Sequence, residues 1–196
     1  TDDKILASWN GLMLRALCSA ARVFDDEPAR ARALANAAFL RDHLVVEGRV
    51  RRSWRRGERL DVGFLEDAAA VALGFLEVFE LTADTAWLDH ARVIATRMVV
   101  DFLDQDRGLF FDTPSDGEPL LTRPREIGDN ATPSGTSLAM ELLARLAVLD
   151  DNESFHELAR RAVNQSAEAV ARFPHAFGHL LGVADLVLHG AVEVAI

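Results

Sequence analysis

The chain has 196 residues, 49% hydrophobic and 27% charged, which is enough to bury a core as one domain and excludes a disordered class. Its formal net charge of −10 opposes general attraction to nucleic acid or an anionic membrane, because phosphate contacts need a positive surface. One cysteine, Cys18, rules out an internal disulfide, and no run reaches the ~20 apolar residues of a membrane span. The opening Thr1-Asp2-Asp3-Lys4 lacks the basic-then-apolar order of a signal peptide, so a cytoplasmic setting is expected.

From Ile5 to Phe24, apolar residues such as Ile5, Trp9, Leu12, Ala16 and Val23 follow helical spacing and predict a first helix. The chain turns at Asp25-Asp26, and Pro28 fits the first turn of a second helix running toward Leu44. Further helices are expected over Phe64 to Leu81, Thr85 to Phe102, Pro133 to Leu149, Ser154 to Phe173 and His175 to His189. Ser154 and Glu157 have the spacing of a capping box for the sixth.

Between the second and third helices, and again between the fourth and fifth, short strands are predicted around glycine turns. Gly57-Glu58-Arg59-Leu60 and Gly117-Glu118-Pro119-Leu120 lie sixty positions apart, as do Gly48 and Gly108. The unit is therefore two helices followed by a β-tongue, with tongues near residues 49–61 and 109–121. An amphipathic helix pair cannot bury its apolar face alone, so successive pairs stack. The predicted fold is all-α, a partial (α/α)6 barrel of antiparallel helical hairpins with two short β-tongues, over residues 1–191. Residues 192–196 read as the start of a strand belonging to a further element. The seven helices read as part of a longer chain, whose other helices would cover an apolar face left open here.

Four segments together carry a family resemblance: Asp2-Asp3-Lys4-Ile5-Leu6-Ala7-Ser8-Trp9-Asn10-Gly11-Leu12-Met13, Gly63-Phe64-Leu65-Glu66-Asp67, Arg123-Pro124-Arg125-Glu126 with Asp129 to Gly135, and Phe173-Pro174-His175-Ala176-Phe177-Gly178. In order and spacing they resemble the thioredoxin-domain-containing spermatogenesis-associated protein 20 (YyaL-type) family. The resemblance implies a barrel similar to six-hairpin glycosidases and N-acylglucosamine 2-epimerases, joined to an N-terminal thioredoxin-like domain as partner. Ala68, Asn130 and Thr136 stand where that pattern has Tyr, Gly and Asn.

A saccharide site at the mouth of such a barrel needs carboxylates for acid/base work and groups that hold hydroxyls. Glu66, Asp67 and Asp129 are the candidate catalytic residues. Asp3, Lys4, Trp9, Asn10, Arg123, Arg125, Glu126, Ser134, Ser137 and His179 are the candidate substrate-binding residues. Helix capping alone would also place Glu66, Asp67 and Asp129 where they are, and a tryptophan such as Trp9 is more often a core residue than a sugar platform. The arginines Arg49, Arg51, Arg52, Arg55, Arg56 and Arg59 read as a shield on an exposed ribbon edge rather than a nucleic-acid site. His175 and His179 share a helix face but lack a third ligand at motif spacing, so no metal or cofactor is expected. Two functions compete: a saccharide-binding or saccharide-processing barrel of hydrolase or epimerase ancestry, and a non-catalytic domain that presents clients to the thioredoxin-like domain. In the first, Asp3, Glu66, Asp67 and Asp129 converge on one mouth, because each opens an odd-numbered helix.

Overall fold

The computed structural model describes residues 3–192, so the strand expected over residues 192–196 lies almost entirely outside the described residues. Seven α-helices run in chain order: α1 (Ala7–Phe24), α2 (Glu27–Leu44), α3 (Leu65–Thr82), α4 (Thr85–Phe102), α5 (Gly135–Asp150), α6 (Glu153–Arg172) and α7 (Gly178–His189). Two-residue strand β1 (Ile5–Leu6) precedes α1, so the first helix starts two residues later than its periodicity suggests. Strands β2 (Val45–Val46), β3 (Arg49–Arg55) and β4 (Glu58–Val62) form the first tongue, and β5 (Leu103–Asp104) and β6 (Leu109–Phe110) follow α4.

The hairpins α1–α2, α3–α4 and α5–α6 share one turn chemistry. Each first helix ends on a left-handed residue, Asp25, Ala83 or Asp151, with φ of 52°, 58° and 50°. The next residue, Asp26, Asp84 or Asn152, caps the following helix by accepting a backbone N–H from Ala29, Ala86 or Phe155. Because the cap falls on Asn152, α6 is already helical at Glu153, and Ser154 with Glu157 does not form the expected capping box.

The odd helices form a continuous inner row. α3 packs on α1 and on α5, and α5 on α7, while α2, α4 and α6 back α1, α3 and α5 in turn. Surrounded in this way, α3 is buried at every residue from Asp67 to Val78, as befits a helix that is apolar on all sides. The edge of the row is different: Trp9, Met13 and Val23 of α1 are 68%, 56% and 73% exposed, so Trp9 is not a core residue.

β3 is the axis of the first tongue. Trp54 pairs with Ile5 of β1 on one edge and Arg59 of β4 on the other, and Val50 pairs with Val45 of β2. The second tongue departs from expectation. Only Leu103–Phe110 and Asp104–Leu109 pair as strands, and residues 111–134 form an irregular loop. Four of the six prolines, Pro114, Pro119, Pro124 and Pro133, fall in this stretch, and each removes a donor that a ladder needs. Two of the helices after it, α5 and α7, also begin later than expected. α5 starts at Gly135 after the cap Ser134, and Pro174–Ala176 is a 3₁₀ turn preceding α7. His175 therefore lies outside the helix that carries His179.

Candidate active site

The starts of the inner helices are tied side by side at one mouth. The Asp67 carboxylate, fully buried at the start of α3, accepts the backbone N–H of Ser8 in α1 at 3.0 Å and reaches back to the N–H of Phe64 at 2.9 Å. Asp129 does the same on the other side: it accepts Ser134 N at the entry of α5 (3.0 Å) and His179 N in α7 (2.9 Å). Orphan N–H groups and the positive ends of helix dipoles explain why carboxylates sit here. Burial pushes the Asp67 carboxyl up, and Arg52 and the Phe64 N–H act against that shift.

Between α3, the second loop and the start of α5 lies a cleft of about 230 Å³. Three carboxylates line it, Glu66, Asp112 and Glu126, together with Arg52, Phe64 and Ser134. Arg52 reaches across from β3, ion-paired with Glu66 and at 3.2 Å from Asp67, and its guanidinium lies 4.9 Å over the Phe64 ring. Asp112 accepts the backbone N–H of Glu126 at 3.0 Å. Burial raises its carboxyl, and the charges of Glu126 and Glu66 push it the same way, while the Glu126 N–H and Arg125 oppose them. Glu126 accepts the Asn130 side-chain amide at 2.5 Å.

The other candidates scatter. Asp3 pairs with Arg55 and Arg56 on the tongue. Lys4 lines a second cavity beside the cleft. Asn10 spends its amide on the Leu6 carbonyl (2.8 Å), which explains a poor helix former in the first turn of α1. Ser134 caps α5 through the Ser137 N–H at 3.1 Å, and the two hydroxyls are 2.9 Å apart. Arg123 and Arg125 hold the loop: Arg123 donates to the Thr113 and Asp101 carbonyls, Arg125 pairs with Asp104 at 2.6 Å, and both guanidinium groups lie over Phe111. His179 is 2.9 Å from Glu141.

Two features escaped the sequence reading. Asp112 sits in a loop with no periodic signal. Glu141, Arg15, Arg145, Glu77 and Arg22 form a ladder of ion pairs across α1, α3 and α5, with Arg15–Glu141 at 2.6 Å and Arg145–Glu77 at 2.9 Å. Glu141 is held down at about 2; burial alone would raise it, and the His179 hydrogen bond with Arg15 and Arg145 overcomes that. The tongue arginines are also engaged with acids: Arg49 lies 2.6 Å from Asp116 and 2.9 Å from Asp101, and Arg52, Arg55 and Arg56 pair as above. A bare edge shield does not describe them.

An arc of helical hairpins whose inner helices open at one acidic mouth has the architecture of an (α/α) barrel. Among solved structures the chain is similar to a GH76 α-mannanase of Bacteroides thetaiotaomicron, with TM-score 0.70 and 16% identity over 86% of this chain and 46% of that one. It is similar also to a D-mannose isomerase, with TM-score 0.61 and 13% identity over 83% and 44%. These likenesses concern the fold alone. In sequence the chain is similar to spermatogenesis-associated protein 20, 29% identical to the Rattus norvegicus protein and 28% to the Homo sapiens protein, each over 92% of this chain. It spans 24% of the length of either relative. No family model matches. Among the described residues no helix is long and apolar enough to cross a membrane.

Proposed function

We propose that this chain is the saccharide-binding and saccharide-processing part of an (α/α) barrel, with its chemistry at the cleft of Glu66, Asp112 and Glu126. The observation that carries the proposal is the pair formed by Asp112 and Glu66 in one cleft. Asp112 has its carboxyl pushed up by burial and neighbouring negative charge, whereas Glu66 is ion-paired with Arg52. Two carboxyl groups in unlike environments are what general acid and base roles require. Asp112 then supplies the proton to the leaving oxygen, and Glu66 or Glu126 takes one from water or from a sugar carbon-bound position. Asp67 and Asp129 become positioning groups, because their oxygens are occupied by backbone N–H groups of adjacent helices. The likeness to a mannanase and a mannose isomerase supports a hexose substrate, and a cytoplasmic setting belongs to the same proposal.

The test uses the full-length protein. Binding of methyl α-D-mannopyranoside and methyl β-D-glucopyranoside is screened by thermal shift, since a ligand of the native state raises the melting temperature. Turnover of the corresponding nitrophenyl glycosides is then compared in Asp112→Asn and Glu66→Gln. Loss of about 10²-fold or more in kcat with an unchanged melting temperature is expected, because an amide cannot exchange the proton. Full turnover in both variants would refute the assignment.

A second reading is favoured by one observation. Asp3, Glu66 and Asp67 each engage an arginine of the tongue, which suits a structural surface presenting clients to a thioredoxin-like partner domain. Under that reading neither glycoside shifts the melting temperature.

A further inference from the structure

Beside the acidic cleft lies a larger cavity of about 770 Å³, within the range of small-molecule sites. The two share a wall made of Arg52 and Phe64. The chain links them directly as well, since Thr113 and Pro114 of the large cavity follow Asp112 of the cleft without a break.

Their linings differ in chemistry. The cleft is carboxylate-rich, whereas the large cavity is walled by Leu6, Val62, Phe64, Pro114 and Leu120. Val62, Phe64 and Leu120 are 45%, 39% and 47% exposed, so their carbon surface is open to an occupant. Its polar lining groups are Lys4, Arg52, Ser53, Thr113 and Glu118; of these, Arg52 is already engaged with Glu66 and Asp67, and Ser53 is buried within β3. A sugar ring placed here would set its hydroxyls facing Leu6, Val62, Phe64, Pro114 and Leu120 against carbon, which costs free energy for each group desolvated. An alkyl or aryl group would instead remove this apolar wall from water at about 0.8 kcal/mol per buried CH₂.

We propose that the large cavity is the aglycone subsite of the cleft, and that the substrate is a glycoside carrying an apolar alkyl or aryl aglycone rather than a long glycan. The inference rests on the saccharide reading above. In the step it implies, the Asp112 carboxyl gives its proton to the glycosidic oxygen and the bond from the anomeric carbon to that oxygen breaks. The aglycone departs into the large cavity as the free alcohol or phenol. Water adds to the anomeric carbon, and its proton passes to a cleft carboxylate. The aglycone thus lies on the Asp112 side of the sugar, where the chain places Thr113 and Pro114.

The test is a ratio. Affinities of the full-length protein for hexyl and methyl α-D-mannopyranoside, and for hexyl and methyl β-D-glucopyranoside, are measured by isothermal titration below the micelle concentration. Hexyl over methyl on the same sugar is expected to be at least tenfold tighter. Leu120→Asp, at a half-exposed position, is expected to bring that ratio below about threefold; since both ligands meet the same folded fraction, a general loss of stability cancels. Equal binding of hexyl and methyl glycosides overturns the aglycone subsite and leaves the saccharide reading standing. If none of the four binds, the saccharide reading falls and this inference with it.

Discussion

The two connections that close the helical hairpins start alike and end differently. Each begins with two short strands around a glycine in the left-handed region, Gly48 at φ 78° and Gly108 at φ 67°, sixty residues apart. After that the first becomes a seven-residue strand paired with a five-residue one, and the second becomes a loop in which Asp112 N bonds Pro124 O at 2.9 Å. The first is held by a backbone ladder, the second by isolated backbone hydrogen bonds and arginine side chains. The difference shows where a carboxylate can be turned into a cleft without breaking a ladder. Leaving the ladder freed the second connection to turn the Asp112 carboxylate toward the cleft, at the repeat position that Arg52 fills in the first. The second connection spans residues 103–134 and the first residues 45–64, so it is also twelve residues longer.

The sharpest way to break this comparison is through glycine. A Cβ at Gly63, where the first tongue meets α3, would lie 2.1 Å from the Val50 carbonyl oxygen, so backbone must move. Gly63→Ala should therefore cost more than about 3 kcal/mol in chemical denaturation. At Gly117 in the second loop the nearest atom would be 3.3 Å away, and Gly117→Ala should stay within about 0.5 kcal/mol. Comparable losses at both sites would erase the distinction.

Next in size is Arg52→Ala, expected to cost about 2–3 kcal/mol at neutral pH by stranding the buried Asp67 carboxylate. Burial already raises Asp67, and removing Arg52 lifts it further. A carboxyl raised in the native state binds more protons there than when unfolded, so stability falls as pH rises through its range. The penalty should accordingly be smaller at pH 4 than at pH 7, measured by denaturant midpoints; a penalty that grows on acidification would contradict this account.

The smallest effect is local. Arg125→Ala removes the pair with Asp104 and should cost about 1 kcal/mol. Hydrogen exchange should speed up in residues 111–126 while the first tongue keeps its protection. Uniform acceleration would mean that the loop is part of the global unit after all.

The helical hairpins were legible because their signal is local. Apolar spacing located the helices to within a few residues, and the sixty-residue repeat located both glycine turns. What failed was local in form but decided elsewhere. Ser154 with Glu157 matched a capping box, yet Asn152 takes the cap because the hairpin turn repeats the chemistry of Asp25-Asp26 and Ala83-Asp84. The second tongue shared the turn of the first, and its prolines outweighed the resemblance. In the candidate site, Glu66 and Glu126 were legible at helix starts and in family segments. Asp112 was not, although it stands sixty residues after Arg52. Glu141 and His179 are 38 residues apart in sequence, and only packing of α5 on α7 brings them together.

The buried Asp67 carboxylate joins segments at very different distances along the chain. Its bond to Ser8 closes a loop of 59 residues, whereas its contact with Arg52 closes one of 15 and that with Phe64 one of 3. Chain entropy makes the long closure the costliest of the three. On loop entropy alone, the α3 start and the first tongue are expected to meet before α1 docks, with the link to Ser8 forming late. A change that weakens only that link, such as one at the Ser8 backbone amide, would quicken unfolding and leave the folding rate nearly untouched.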